Sequence, residues 1–235
     1  MVMQFLEKNE PLTIEEMTTR FPYLESVLRE HNDLDCEFEI VEDTIKLASP
    51  YSNSVCTNIE GELSYHKTFF YKNSIYKQPL AKALGIKKGE DKPKILDVTA
   101  GMLGDSLLIY SFGCEVEALE RNPIAFILSK NAIANSDIDL NLSFGDAGKI
   151  EPTKRVVYFD PMYTQKNEKT LPKREMRIFR EVIGADPDAK IVAVHLKSQS
   201  KRLVIKRAIK AMPLLCEPSF TVKGKSTAYD VYITT

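Results

Sequence analysis

The sequence predicts an α/β fold in which a mostly parallel sheet is covered by helices and closed by an antiparallel hairpin. After residue 94, apolar runs of strand length alternate with helical segments, which is typical of a parallel sheet. Several of those runs end next to an acidic residue, and ligands of such sheets bind at the carboxyl ends of the strands. The last segments, SFTVKG and AYDVYITT, predict the antiparallel hairpin.

The composition limits the classes of protein that this chain can represent. Its 235 residues suffice for one full domain and a small appendage. A hydrophobic content of 43% is ordinary for a soluble globular protein, and no apolar run approaches the roughly 20 residues of a membrane span. The formal net charge of −1 argues against a globally basic nucleic-acid binder, so an RNA partner would require positive charge gathered on one face.

The N-terminus and the cysteines predict a cytoplasmic protein without a metal site. The first residues, MVMQFLEKNEPLTIEE, carry acids early and lack the pattern of a secretory signal. The four cysteines are scattered, with no partner at zinc-ligand spacing, which predicts reduced thiols that mostly pack as small apolar residues.

The sequence predicts a small α+β cap that contacts RNA at residues 1–78 and the main domain at residues 79–235. In the cap, TIEEMTTRFPYLESVLREH predicts short helices, and the alternation in DCEFEIVEDTIKLAS predicts a half-buried hairpin. Residues 64–89 are dense in Tyr, Phe and Lys, which suits either an RNA-facing surface or hinge, or the packing of the cap onto the main domain. This stretch ends in the predicted helix QPLAKALG, between Pro79 and Gly85.

The main domain is predicted to alternate strands and helices. The predicted strands before the final hairpin are residues 94–98, 115–120, 140–144, 155–159 and 191–196. The predicted helices are residues 105–112, 123–135, 173–183 and 201–212. This order places helices on both faces of the sheet.

The first turn of this domain is predicted to hold one end of a nucleotide-type cofactor. Asp97 ends the first strand, Gly101 and Gly104 lie in the turn, and a helix begins near Asp105. Small residues let the backbone approach a ligand, and free N–H groups at a helix start favour a carboxylate or phosphate. The turn is not G-x-G-x-x-G, and a plain β–α turn remains an alternative.

Two further acids follow strands. Glu120 ends the second strand, where α/β nucleotide sites place an acid that accepts hydrogen bonds from two ribose hydroxyls. Asp146, in SFGDAG after the third strand, is placed to meet the adenine amino group. The alternatives are a surface acid at Glu120 and ordinary turn chemistry at Asp146.

Asp160-Pro161-Met162-Tyr163 follows the apolar strand VVYF. A carboxylate at a strand end can accept hydrogen bonds from an exocyclic amine, and Pro161 stiffens the turn. Tyr163 can stack on a base. An aryl-amine nitrogen is a poor nucleophile, so the site has to orient it and remove positive charge as it develops. Asp160, Pro161 and Tyr163 are therefore the candidate catalytic residues.

Two basic stretches follow. Lys166, Lys173, Arg174 and Arg177 are the candidate RNA-binding residues next to this motif. The interval 197–210 adds Lys201, Arg202, Lys206 and Arg207 without an acid. Either group could follow a phosphate backbone or simply form the solvated face of a helix.

Three blocks resemble one known family. These are DVTAG at residues 97–101, GCEVEALERNP at 113–123, and VVYFDPMY with KREMRIF at 156–179. They are similar to the RsmJ family of small-subunit (16S) ribosomal RNA guanine-N2 methyltransferases, which have the class I Rossmann-like fold and depend on S-adenosylmethionine. The resemblance implies a guanosine at the decoding-region end of that RNA as the target.

The resemblance also implies which residues contact S-adenosylmethionine or frame its pocket. These are Gly104, Asp105, Glu120, Arg121, Asp146, Ala147 and Asp160. Two stretches depart from the family. Its turn is similar to A-G-L-G-R-D, whereas residues 100–105 are A-G-M-L-G-D, and its R-K-F-G-G-G-R-G stretch is K-T-F-F-Y-K-N-S at residues 67–74.

Two rival functions remain open at this level. One is a class I methyltransferase that acts on another nucleic-acid amine or on a small molecule. The other is an RNA-binding or assembly protein that keeps the fold and has lost the cofactor, which the altered turn at Leu103 allows.

Overall fold

The computed structural model describes residues 3–49, 52–152, 155–162 and 184–234. The predicted helix at 173–183 lies outside this part of the chain. None of the described helices combines the length and hydrophobicity that crossing a membrane requires.

In the described residues before Pro79, the chain forms five strands and three α-helices. The elements are β1 (Gln4–Glu7), β2 (Glu10–Leu12), α1 (Ile14–Arg20), α2 (Glu25–Glu30), β3 (Glu37–Val41), β4 (Thr44–Ser49), β5 (Ser52–Val55) and α3 (Ile59–Lys72). The strands form one sheet in the order β2-β1-β3-β4-β5, with β3 and β4 antiparallel. The predicted short helices and hairpin are therefore confirmed. A capping box between Thr13 and Glu16 starts α1.

The second sheet has seven strands and begins after a short helix. The elements are α4 (Pro79–Leu84), β6 (Ile95–Asp97), α5 (Gly104–Ser111), β7 (Val116–Glu120), α6 (Pro123–Ala134), β8 (Asn141–Phe144), β9 (Val156–Phe159), α7 (Ala189–Gln199), β10 (Arg202–Ala208), β11 (Phe220–Lys223) and β12 (Thr227–Ile233). Their order is β11-β12-β10-β9-β6-β7-β8, parallel from β10 to β8. The antiparallel pair β11–β12 confirms the predicted hairpin and, with the parallel strands, the fold class.

Two predicted elements are wrong. Residues 191–196, predicted as a strand, lie in α7, and residues 201–212, predicted as a helix, contain β10. In α7 the buried positions are Val192, Ala193 and Leu196, a helical spacing that the β-branched run IVAV obscures. In β10 the run LVI is buried on both faces of the sheet, so no alternation marks it as a strand.

The seven-stranded sheet separates two cores. Tyr158 and Val204 point to the core that holds α3 to α6, while Val157 and Leu203 point to the core under α7. The N-terminal sheet shares the first core, and Asn131 of α6 bonds the backbone of β4. A domain boundary near residue 79 stays a prediction.

Parallel pairing brings the ends of β6, β7 and β9 to one edge of the sheet. Asp97 and Glu120 end the first two of these strands, and Asp160 follows the third. The fold therefore collects at one edge three acids that are far apart in sequence.

Candidate active site

The turn between β6 and α5 leaves backbone donors open. Leu103, immediately before α5, has a left-handed backbone with φ of 66° and a fully buried side chain. Within the described residues, the N–H groups of Gly104, Asp105 and Ser106 have no hydrogen-bond acceptor. A Cβ on Gly104 would meet no heavy atom within 4 Å. The helix start is therefore accessible and can donate to an acceptor from outside the chain.

Asp97 lies beneath this turn. Its carboxylate accepts hydrogen bonds from the Ser106 hydroxyl at 2.6 Å and from the Thr99 N–H at 3.0 Å. Burial raises the pKa of Asp97 to about 7, although these two hydrogen bonds act to lower it. Asp97 thus supports the turn from inside, and its direct contact with a cofactor stays a prediction.

Glu120 joins the turn to the end of β7. One carboxylate oxygen accepts the Gly101 N–H at 2.7 Å, and the other accepts the Asn122 N–H at 2.6 Å. Burial raises the pKa of Glu120, and the hydrogen bonds from Asn122 and Gly101 oppose the rise. Each oxygen has a second acceptor position, so the carboxylate can still receive two hydroxyl groups of a ligand.

Asp146 and Ala147 stand beside Glu120 at the end of β8. The Gly145 N–H donates to the Glu120 backbone carbonyl at 3.0 Å, which connects the two strand ends. Asp146 accepts the Gly148 N–H at 2.9 Å and starts a short 3-10 turn, in which Ala147 is buried. The structure brings these residues next to the Glu120 position, and their contact with adenine stays a prediction.

Arg121 is held by two acids that the sequence did not single out. It pairs with Asp188 at 2.8 Å and with Asp186. Asp186 in turn accepts the Met162 N–H at 2.6 Å and donates its own N–H to the Met162 carbonyl at 3.0 Å. Arg121 therefore connects the end of β7 to the Asp-Pro-Met loop, and its direct contact with a cofactor stays a prediction. The only local signal was the pair of acids around Pro187, just before α7.

The Asp160 carboxylate lies in a cluster of charged side chains. The Lys206 ammonium is 2.8 Å from Asp160 and 2.6 Å from Asp105, and the Tyr158 hydroxyl donates to Asp105 at 2.5 Å. The Asp160 N–H donates to the Thr99 hydroxyl at 2.8 Å, which connects this loop to the first turn. Lys206 extends from β10, next to β9 in the sheet.

Burial and charge have opposite effects on the pKa values in this cluster. It raises the pKa of Asp160 to about 6, while the charge of Lys206 acts to lower it. Burial also opposes the charge of Lys206, but the carboxylates of Asp160 and Asp105 outweigh it and raise the pKa of this lysine. The ammonium is therefore a permanent positive charge between two carboxylates. Sequence reasoning missed it because Lys206 was assigned to the wrongly predicted helix.

Some of the predicted site residues lie outside the described part of the chain. They are Tyr163, Lys166, Lys173, Arg174 and Arg177. Their roles in base stacking and RNA binding stay predictions. Pro161 is described and is buried directly after Asp160.

Comparison with known proteins identifies the family. A family model described as "Putative SAM-dependent methyltransferase" matches residues 27–234. The chain is 36% identical to the Ribosomal RNA small subunit methyltransferase J of Thioalkalivibrio sulfidiphilus, covering 75% of this chain and 74% of that protein. For the protein of the same name from Hahella chejuensis, the identity is 35%, covering 74% of this chain and 70% of that one.

A solved structure shows the same fold. It is a SAM-dependent methyltransferase from Neisseria gonorrhoeae that aligns with a TM-score of 0.64 at 21% identity, over 90% of this chain and 91% of that one. The identity is too low for the likeness to say more than fold. Together with the family model and the relatives, it leads to one assignment: this chain belongs to the ribosomal RNA small subunit methyltransferase J family of SAM-dependent methyltransferases.

Proposed function

We propose that this protein transfers a methyl group from S-adenosylmethionine to the exocyclic N2 amine of a guanosine in small-subunit ribosomal RNA. The names of its relatives support the RNA, and the family supports the methyl donor. The observation that carries the proposal is the position of Asp160, which follows β9, bonds to the first turn through Thr99 and pairs with Lys206.

The described residues fit S-adenosylmethionine. The open N–H groups at the start of α5 suit the carboxylate of its amino-acid part, and the exposed Gly104 leaves room for it. Glu120, with its remaining acceptor positions, suits the two ribose hydroxyls. When bound, this donor supplies an electrophilic methyl group on a positively charged sulfur, and S-adenosylhomocysteine is the product.

Asp160 would act on the guanine amine as an acceptor. Its carboxylate can receive a hydrogen bond from the amino group and so fix the direction in which the nitrogen faces. As the nitrogen bonds to carbon, it gains positive charge, which a nearby carboxylate stabilises until a proton leaves to Asp160 or to water. Pro161, with its fixed φ, limits the freedom of this loop.

Lys206 would serve as a positioning residue for Asp160. Its ammonium holds the Asp160 carboxylate at 2.8 Å and favours the ionised form that accepts a hydrogen bond. It also lies between Asp160 and Asp105, and the charge of Asp105 acts to raise the pKa of Asp160. Lys206 thus keeps the Asp160 carboxylate ionised. Because its ammonium is already protonated, Lys206 cannot itself take the proton from the amine.

The substrate base has to be accessible to this edge of the sheet. An exocyclic amine inside a paired stem cannot reach the methyl donor, so the target guanosine should be unpaired or flipped out of its stack.

Mapping of modified nucleosides tests the proposal in cells. Ribosomal RNA from cells with and without the protein is digested and compared for N2-methylguanosine, and the deleted strain is complemented with wild type or Asp160→Asn. We expect one N2-methylguanosine to disappear on deletion and to return only with wild type. An unchanged set of methylated guanosines would contradict the proposal.

A further inference from the structure

Residues 64–89 form a basic stretch without an acid, as residues 197–210 also do. The stretch contains six lysines and no Asp or Glu, in a chain whose formal net charge is −1, so the rest of the chain is net acidic. All six lysines are exposed: Lys67, Lys72, Lys77, Lys82, Lys87 and Lys88. Lys87 pairs with Glu90 at 3.1 Å, and no described carboxylate lies within 4.0 Å of the other five. Five of the lysines therefore pair with no described carboxylate, and the two acids of α3, Glu60 and Glu62, lie in its first turn.

Helix α3 adds exposed aromatic rings to this charge. Tyr65 is 62% exposed, Tyr71 is 89% exposed, and the Phe69 ring stacks against Tyr65 with 6.2 Å between centroids. The helix packs on the main domain through a different side, where Phe70 meets Phe112, immediately after α5, with 5.4 Å between centroids. Packing accounts for Phe70 but not for Tyr65 or Tyr71, so the exposed rings are available to a partner.

Helix α3 lies next to the candidate active site. It packs along α5, which begins at Gly104, and shares the first core with it. His66 of α3 is buried, which lowers its pKa, and the charge of Asp105 is near enough to oppose this shift. Asp105 shares the Lys206 ammonium with Asp160. A strand of RNA that enters the site therefore has α3 within its reach.

We propose that the exposed side of α3 binds the single-stranded RNA that flanks the target guanosine. This α3 surface has two flanks, with Tyr65, Phe69 and Lys72 at i, i+4 and i+7 on one and Lys67 and Tyr71 at i and i+4 on the other. Lysines would neutralise phosphates, and the rings would stack on unpaired bases, a combination that holds single strands with little sequence preference. RNA is favoured over an acidic protein as the occupant because this surface lies beside a site that is proposed to act on an RNA base. This inference rests on the proposed function, because it assumes that the substrate is RNA.

Binding to a labelled oligonucleotide tests the charged part of this surface. Fluorescence anisotropy with a fluorescein-labelled single-stranded RNA of about 20 nucleotides is measured over a series of KCl concentrations. For Lys67→Glu/Lys72→Glu we expect Kd to rise about tenfold or more, and the salt slope to fall by about 1.4, since each lost contact to a single strand contributes about 0.7. The matched control is Lys8→Glu/Lys190→Glu, two exposed lysines outside this stretch, in the turn between β1 and β2 and in α7. Equal losses in both double variants would overturn the proposal.

The aromatic part needs a separate pair of variants. Tyr65→Ala/Tyr71→Ala should weaken binding at least about 30-fold, because two stacked bases at roughly 1–3 kcal/mol each contribute about 2 kcal/mol or more, whereas Tyr65→Phe/Tyr71→Phe keeps the rings and should bind like wild type. Unchanged affinity of the alanine variant would overturn the stacking role and leave a surface for acidic partners.

Calorimetry with S-adenosylmethionine separates this inference from the proposed function. All α3 variants should bind the methyl donor like wild type, and weaker donor binding would point to misfolding and overturn the assignment of the RNA effect to this surface. If wild type and variants bind the oligonucleotide as expected but no guanosine is methylated, the proposed function fails while the RNA surface stands.

Discussion

The two halves of the candidate site are built from different interactions. At the ends of β6 and β7, Glu120 accepts backbone N–H groups of Gly101 and Asn122, so a single acid organises two turns. At the end of β9, side chains bind side chains, with the ammonium of Lys206 from β10 between Asp105 and Asp160. The first half depends on backbone shape and the second on charge, so the two halves should respond differently to substitution and to pH.

The largest effect is expected at Asp160. Asp160→Asn keeps the shape of the side chain and removes the negative charge that stabilises the methylated nitrogen, so kcat should fall by about 10³-fold. The donor half is untouched, and Kd for S-adenosylmethionine should stay within about threefold of wild type. Single-turnover methylation and calorimetry measure the two quantities. Activity close to wild type would remove Asp160 from the reaction.

The cofactor half should show the opposite result at Glu120. In Glu120→Gln, the amide cannot accept both backbone N–H groups and has no charge for the ribose hydroxyls. Kd for S-adenosylmethionine should therefore rise about 30-fold, or roughly 2 kcal/mol. Calorimetry measures this change, with Glu117→Gln, a partly exposed acid earlier on the same strand, as the control. An unchanged Kd would show that the donor does not rely on Glu120.

Lys206 should change the pH dependence of the reaction more than its maximal rate. The active form of Asp160 is ionised, and burial already raises its pKa to about 6, so activity should increase as the pH rises through this value. Lys206→Met removes the charge that lowers this pKa. The acidic limb of the pH–rate profile should therefore move about 1–2 units to higher pH. Lys206→Arg keeps the charge and should leave the profile close to its wild-type position.

The groups around Asp160 make this test specific. Asp105 would still raise its pKa in the Lys206→Met variant, and Tyr158 and Tyr229, whose own pKa values are raised by burial, would remain neutral over this range. A lower rate with an unshifted pH profile would mean that Lys206 acts only on folding.

The smallest effect is expected at Leu103, where two terms oppose each other. Its left-handed φ of 66° favours glycine, which stands at the corresponding position of the family's A-G-L-G-R-D turn, but its side chain is fully buried. Loss of a buried leucine costs about 2–5 kcal/mol, and relief of the backbone returns about 1–2 kcal/mol. Leu103→Gly should lower the free energy of unfolding by about 1–3 kcal/mol in urea titrations, and an increase in stability would contradict this account.

The sequence predicted the acids at the strand ends better than the lysine that pairs with Asp160. Asp97, Glu120 and Asp160 each follow an apolar run, and parallel pairing of those runs brings their ends together, so local patterns were sufficient. Lys206 was missed because a strand that is buried on both faces shows no alternation, and its basic residues suggested a solvated helix.

Long-range partners were invisible for another reason. Arg121 contacts Asp186 and Asp188 because the fold places the residues before α7 beside the Asp-Pro-Met loop. Nothing in either local segment specifies that pairing. Likewise, the left-handed conformation of Leu103 is imposed by the turn around it and contradicts the preference of the residue itself. Such features follow from the assembled fold and not from local propensity.

The most direct test of the central claim is to identify the nucleoside that receives the methyl group. Purified wild-type protein is incubated with unmodified small-subunit ribosomal RNA and S-adenosylmethionine carrying a deuterated methyl group, and the digested nucleosides are analysed by mass spectrometry. We expect the label in N2-methylguanosine alone, and none with Asp160→Asn. Label in another nucleoside, or no label from protein that binds the donor, would contradict the assignment.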